Sequence, residues 1–70
     1  MDVTGNVYKD NFGRYYKIAE CDDTCYHDNH SPDNPWVWAE CLHDGSKRIG
    51  CLKTLFPETW KVPIYEGIFN

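Results

Sequence analysis

Residues 36–60, with the sequence WVWAECLHDGSKRIGCLKTLFPETW, decide the fold of this chain. An aromatic and apolar stretch leads into Asp44-Gly45, a pair that is typical of tight β-turns. A second stretch follows it and ends before Pro57, which is tolerated in the first turn of a helix. The segment therefore predicts a β-hairpin, followed by a single 3₁₀ turn over residues 57–60.

The register of this hairpin decides which side chains share a face, because a slip of one residue moves a whole strand to the opposite face. A two-residue loop at the Asp-Gly pair sets Cys41 opposite Arg48. A three-residue loop sets Cys41 opposite Cys51 and Val37 opposite Leu55. We prefer the second register because it gathers more apolar side chains on one face.

The rest of the chain predicts two further strands and a long loop. A short strand is expected at Val7-Tyr8, followed by a turn at residues 11–13. Residues 14–21, RYYKIAEC, are rich in β-favouring side chains and predict a longer strand. Residues 22–35, DDTCYHDNHSPDNP, consist largely of turn-forming residues and predict a long polar loop. The expectation is a single all-β domain over residues 1–70.

Composition excludes several classes of function. The net charge is −4, from eleven Asp and Glu against seven Lys and Arg, which argues against nucleic acid as the main ligand. No run approaches the roughly 20 apolar residues of a membrane span. The first eleven residues, MDVTGNVYKDN, have neither the basic nor the apolar region of a secretory signal, so the cytoplasm is the expected location.

The order of these features resembles the C-terminal half of an SH3 domain. There a strand that carries Trp is followed by a Gly, a Phe-Pro pair, a 3₁₀ turn and a last short strand; the matching positions here are Trp36 or Trp38, Gly50, Phe56, Pro57, Trp60 and Val62. Residues 5–21, GNVYKDNFGRYYKIAEC, are similar to the opening of short SH3-like proteins of bacteria and phages. The resemblance implies a small, strongly bent barrel of about five short antiparallel strands. Because the acidic ALYDY-type start of true SH3 domains is missing, it does not imply binding of proline-rich peptides.

Aromatic side chains are the expected partner-binding residues. Alternation along the first strand of the hairpin places Val37, Ala39 and Cys41 on one face and Trp36 and Trp38 on the other. Aromatic side chains are enriched in protein interfaces. The predicted patch comprises Tyr15, Tyr16, Tyr26, Trp36, Trp38 and Trp60. The function expected from it is that of a small protein-binding module without enzymatic activity, for example a phage-encoded modifier or inhibitor of a host protein.

The cysteines and histidines leave alternatives open. A structural zinc ion would take Cys21, Cys25, Cys41 and Cys51, with His27 or His30 as substitutes, and the loop would then be the recognition element. Alternatively, the four cysteines are free thiols, as is usual in a reducing cytosol, or they form the disulfides Cys21–Cys25 and Cys41–Cys51. A small cysteine-dependent enzyme would use Cys25 with His27 or His30.

Overall fold

The structure, a computed structural model, describes residues 2–22 and 34–65. These residues form four strands, β1 (Val7–Lys9), β2 (Tyr15–Asp22), β3 (Trp36–Cys41) and β4 (Lys47–Cys51), and one helical turn, α1 (Leu52–Leu55). The strands build one antiparallel sheet in the order β1-β2-β3-β4. The prediction of a small all-β domain is confirmed, and the described strands form an open sheet.

One face of the sheet covers the hydrophobic core. Val37 and Ala39 of β3 point into it as alternation predicts, and Tyr16 and Ile18 of β2 lie beside them. Phe56 closes the core from the other side, with its ring 5.3 Å from that of Tyr8 and 5.8 Å from that of Tyr16. Burial of these large side chains is the main source of stability for such a short chain.

The chain turns back over the sheet directly after β4. Leu52 begins α1 and is fully buried, and the N–H of Phe56 donates to the carbonyl of Leu52 at 2.9 Å. A Cβ atom on Gly50 would lie 3.3 Å from Leu55, so the absence of a side chain there lets α1 approach the sheet closely. The sequence did not predict α1. Residues 57–60 form a hydrogen-bonded turn in which the N–H of Trp60 donates to the carbonyl of Phe56 at 3.0 Å.

The hairpin register differs from both predicted registers. Cys41 lies opposite Ser46, with the N–H of Cys41 donating to the carbonyl of Ser46 at 2.7 Å, and Cys51 lies opposite Trp36. The connecting loop therefore has four residues, 42–45, instead of two or three. It is stabilised by Asp44, whose carboxylate accepts the N–H of Ser46 at 2.9 Å, and by the left-handed conformation of Gly45 at φ 74°.

The outer edge of β1 is covered by the C-terminal part of the described chain. The N–H of Val7 donates to the carbonyl of Tyr65 at 2.8 Å, and the N–H of Ile64 donates to the carbonyl of Val7 at 2.7 Å. The hydroxyl of Thr59 accepts the N–H of Lys9 at 3.2 Å and donates to the carbonyl of Lys9 at 2.9 Å. In the described residues an isolated bridge between Val7 and Tyr65 therefore stands where a fifth strand was expected.

A bulge in β2 determines which residues face away from the core. The register shifts between Ile18 and Glu20, so Ala19 is the extra residue. Glu20 consequently lies opposite Trp38, and Cys21 lies opposite Val37. The bulge thus places a carboxylate beside an outward-facing tryptophan.

Candidate functional site: the outer face of the sheet

The outer face, which we define as the side of the sheet turned away from the core, carries a groove at Trp38. In the register of the sheet, Trp38 has Glu20 on one side and Ile49 on the other. Trp38 is half-buried, whereas 55% of Ile49 is exposed. The groove has a volume of about 230 Å³, and the residues lining it include Ala19, Glu20, Trp38, Glu40, Lys47 and Ile49. We call it the Trp38 groove.

A second apolar patch occupies the other end of the same face, and we call it the Tyr15 cluster. The ring of His43 lies 6.2 Å from that of Tyr15, and Leu42 of the β3–β4 loop is 47% exposed beside them. Ile64 and Tyr65, held there by the bonds to β1, complete the cluster. The Tyr15 cluster, comprising Tyr15, Leu42, His43, Ile64 and Tyr65, lines a depression of about 370 Å³ with Val7 at its base.

A row of charged residues separates the two apolar areas. Glu40 lies directly opposite Lys17 on β2 and opposite Lys47 on β4. Opposite charges in facing positions stabilise an antiparallel pair. The outer face therefore consists of two apolar areas with an alternating positive, negative and positive row between them.

The core side of the sheet has a charged cluster that the sequence did not predict. Asp10 is buried, with 3% of its side chain exposed, and its Oδ1 accepts the N–H groups of Phe12 and Arg14, both at 2.9 Å. Its Oδ2 lies 3.4 Å from Nη1 of Arg48, which reaches it from β4. The guanidinium of Arg48 also lies 5.9 Å from the centre of the Tyr16 ring. This arrangement fixes the turn between β1 and β2, which is a structural role.

Two exposed groups near this cluster have shifted pKa values. A hydrogen bond to Tyr16, followed by the charge of Asp44, raises the pKa of Arg14. The N–H and hydroxyl of Ser46, followed by the side chain of Cys41, lower the pKa of Asp44 from 3.8 to about 2. Asp44 is therefore an ionised loop anchor at neutral pH.

The predicted aromatic patch divides between surface and core. Tyr15, Trp36 and Trp38 lie on the outer face, as alternation predicts for the two tryptophans. Tyr16 is a core residue with only 3% exposure, so its place in the surface patch has to be corrected: it lies opposite Tyr8 and Cys41 on the inner face.

The other two aromatic residues of the patch are placed differently. Trp60 packs partly against the core, with the ammonium of Lys53 at 4.3 Å and that of Lys61 at 5.4 Å from its ring centre. Tyr26 lies outside the described residues. Four further members of the outer face were not predicted from sequence: Glu20, Leu42, Ile49 and Tyr65. Once the register is known, alternation along β4 identifies Ile49 as a residue on the face of Trp38.

The cysteines that the structure describes occupy separate positions. Cys21 lies opposite Val37, Cys41 opposite Tyr16, and Cys51 opposite Trp36. The prediction that Cys41 and Cys51 face each other is therefore wrong: they point to opposite faces of the hairpin, and the buried Cys41 forms no disulfide within the described residues. The physical reason is the four-residue loop.

The zinc hypothesis now depends on residues outside the described part. Within residues 2–22 and 34–65, no group of three or more His, Cys, Asp and Glu side chains is placed to hold a metal ion. Cys25, His27 and His30 lie outside these ranges, so a zinc site or a Cys–His pair that uses them stays a prediction.

Among the described residues, no helix has the length and apolar character needed to cross a membrane. No known protein family, curated protein or solved structure matches this chain significantly.

Proposed function

We propose that this protein is a binding module that docks a partner protein on the outer face of its sheet. The observation that carries the proposal is the exposure of apolar side chains on both sides of a charged row on one face. Ile49 at 55% and Leu42 at 47% lie in the two apolar areas. Exposed apolar patches with polar surroundings are typical of interaction sites.

The composition of the face supports this proposal. Aromatic residues concentrate in the binding core of protein interfaces, and Trp and Tyr are the most frequent sources of binding energy. Trp36, Trp38, Tyr15 and Tyr65 all belong to the outer face or its border. The charged row of Lys17, Glu40 and Lys47 would set the orientation of a partner, since interfacial charges contribute specificity.

The mode of action proposed is occupancy of another protein's surface. A chain of 70 residues has little room to enclose a catalytic cleft. We place this activity in the cytoplasm, and in a host cytoplasm if a phage encodes the chain. Inhibition or modification of the partner's activity would then follow from covering the surface that the partner uses.

The test compares two substitutions of exposed apolar residues. Ile49→Glu places a charge in the Trp38 groove, whereas Phe12→Glu places the same charge at a position that is 84% exposed in the β1–β2 turn. Immobilised wild-type protein captures partners from cells of the source, and bound proteins are quantified. We expect Ile49→Glu to lower capture about tenfold or more, as loss of a central interface residue does, and Phe12→Glu to leave it unchanged.

Circular dichroism and thermal unfolding verify that both variants are folded. Equal capture by wild type and by a folded Ile49→Glu variant would contradict the proposal. Loss of capture in both variants would contradict a contact confined to the outer face.

A further inference from the structure

The two edges of the sheet differ in what covers them. The β1 edge is occupied by Thr59, Ile64 and Tyr65 of the chain itself. The β4 edge is the other limit of the sheet. Within residues 2–22 and 34–65, no backbone–backbone hydrogen bond occupies the outward side of Lys47 or Ile49.

The hydrogen-bond ladder determines where the backbone of β4 points. The bonds from Cys41 to Ser46, at 2.7 Å, and from Leu52 to Pro35, at 2.9 Å, mark the hydrogen-bonded positions at the two ends of the β3–β4 pair. In antiparallel pairs these positions alternate with positions whose N–H and C=O groups point the other way. Ile49 lies opposite Trp38 at such a position, so its backbone N–H and C=O point away from β3, toward what we call the open edge because no described residue pairs with it.

The side chain of Ile49 is part of the Trp38 groove, so the open edge and the groove are adjacent. A strand that adds to a sheet edge gains main-chain hydrogen bonds there, and its alternate side chains enter neighbouring pockets. A residue paired with Ile49 would project its side chain onto the outer face, over Ile49 and toward Trp38.

The charge of the groove indicates which side chain fits. Glu20 and Glu40 contribute two carboxylates to the lining of the groove, and Lys47 contributes one ammonium. Glu40 already lies between Lys17 and Lys47, whereas Glu20 faces Trp38 and no lysine of this row, so Glu20 is the carboxylate placed to pair with a bound cation. The other cation of β4, Arg48, reaches across the inner face to Asp10 at 3.4 Å. A guanidinium pairs with carboxylates and stacks on an aromatic ring, and the stem of an arginine covers apolar surface.

We propose that β4 accepts an extended segment of the partner, which adds as a fifth strand at Ile49 and places an arginine side chain in the Trp38 groove. This inference rests on the proposed function and names the chemistry of its ligand. The overall charge of −4 favours a basic segment and disfavours a second copy of this chain, since like-charged molecules repel.

The test uses synthetic peptides and ¹⁵N-labelled protein. The probe is a short blocked peptide that alternates Thr and Val around one central Arg. One control peptide has Glu in place of Arg, and another carries an N-methyl group on the backbone nitrogen of the Arg itself, which in an antiparallel pair would donate to the carbonyl of Ile49. Binding is followed by NMR, through the amide signals of β4 and the indole signal of Trp38.

We expect the Arg peptide to shift the amide signal of Ile49 and the indole signal of Trp38, and to slow hydrogen exchange at the Ile49 amide. The N-methylated peptide should bind at least tenfold more weakly. Glu20→Gln should weaken binding of the Arg peptide roughly two- to fivefold, as expected for an exposed charge pair. Glu58→Gln, an exposed carboxylate outside the groove, should have no effect.

Three outcomes would overturn the inference. Equal binding of the Arg and Glu peptides would refute the charge preference, and absence of binding by every peptide would refute strand addition. Concentration-dependent dimerisation of the protein alone, with the Ile49 amide protected, would identify a second copy as the occupant. The proposed function is tested separately, by partner capture. If Ile49→Glu loses capture while any of these three outcomes is observed, the protein still binds a partner on its outer face, but not by strand addition.

Discussion

Asp10 shows how one buried carboxylate can organise a turn. It accepts two backbone N–H groups within its own turn and lies 3.4 Å from Arg48, which is 38 residues away in sequence. The interaction therefore joins the first turn of the chain to the edge strand β4. Removing a partner from such a site leaves buried donors without acceptors. The resulting loss of folding free energy is larger than the net contribution of the hydrogen bond itself.

We expect Asp10→Ala to lower the free energy of unfolding by about 2–4 kcal/mol, because two N–H groups and the Arg48 charge lose their acceptor. Asp10→Asn should cost less, since an amide oxygen still accepts the N–H groups. Urea unfolding measures both. Asp2→Ala is the control, because Asp2 makes a similar bond to the N–H of Thr4 at an exposed position. An unchanged unfolding midpoint in Asp10→Ala would contradict this role.

Asp44 makes the stability of the β3–β4 loop dependent on pH in the acidic range. Its pKa is lowered from 3.8 to about 2, chiefly by the N–H and hydroxyl of Ser46. A carboxyl with a depressed folded-state pKa binds protons more weakly when folded than when unfolded. Its stabilising contribution is therefore complete above the unfolded pKa and is lost as the pH falls through the folded one.

We expect wild type to be more stable than Asp44→Asn at neutral pH, and the difference to disappear as the pH falls from 3.8 to about 2. The measurement is the urea midpoint of each protein across this interval. A difference that stays constant throughout would show that ionisation of Asp44 does not support the loop.

At the scale of elements, the hydroxyl of Thr59 substitutes for a strand at the edge of β1. It both accepts the N–H of Lys9 and donates to its carbonyl, at 3.2 and 2.9 Å. A single side chain thereby satisfies the two backbone groups that a neighbouring strand would otherwise pair with. The same edge is paired at Val7 by Ile64 and Tyr65.

We expect Thr59→Val, which keeps the shape and removes the hydroxyl, to lower the free energy of unfolding by about 0.5–1.5 kcal/mol. Hydrogen exchange at the Lys9 amide should become faster. Thr54→Val in α1 is the matched control, because Thr54 is exposed and makes no such bond in the described part of the chain. Unchanged exchange at Lys9 in Thr59→Val would contradict the edge-covering role.

Features that depend only on residues adjacent in sequence were predicted correctly. The aromatic and β-branched stretch 14–21 became β2, and alternation in β3 correctly directed Val37 inward and Trp38 outward. The register was predicted wrongly, because it depends on the bond from Ser46 to Asp44 rather than on the Asp-Gly pair alone. Glu20 was missed because the bulge at Ala19 cannot be read from alternation.

At the scale of the whole molecule, the candidate site depends on both the register of the β3–β4 hairpin and the bulge in β2. The four-residue loop puts Ile49 on the face of Trp38, and the shift in β2 puts Glu20 there too. Neither effect is local in sequence. Tyr16, which belongs to an aromatic pair in sequence, points to the core because its neighbour Tyr15 takes the other face.

The covering of β1 by Thr59, Ile64 and Tyr65 also limits how copies of this protein associate. A sheet with two open edges can pair with another copy at each edge, so that copies add indefinitely, as in a fibril. In the described part of the chain, residues 59–65 already cover the β1 edge, so the described sheet leaves only the β4 edge for another copy to pair with. Edge-to-edge association through this sheet therefore stops at two copies, because the contact between Val7 and Tyr65 blocks the addition of a third.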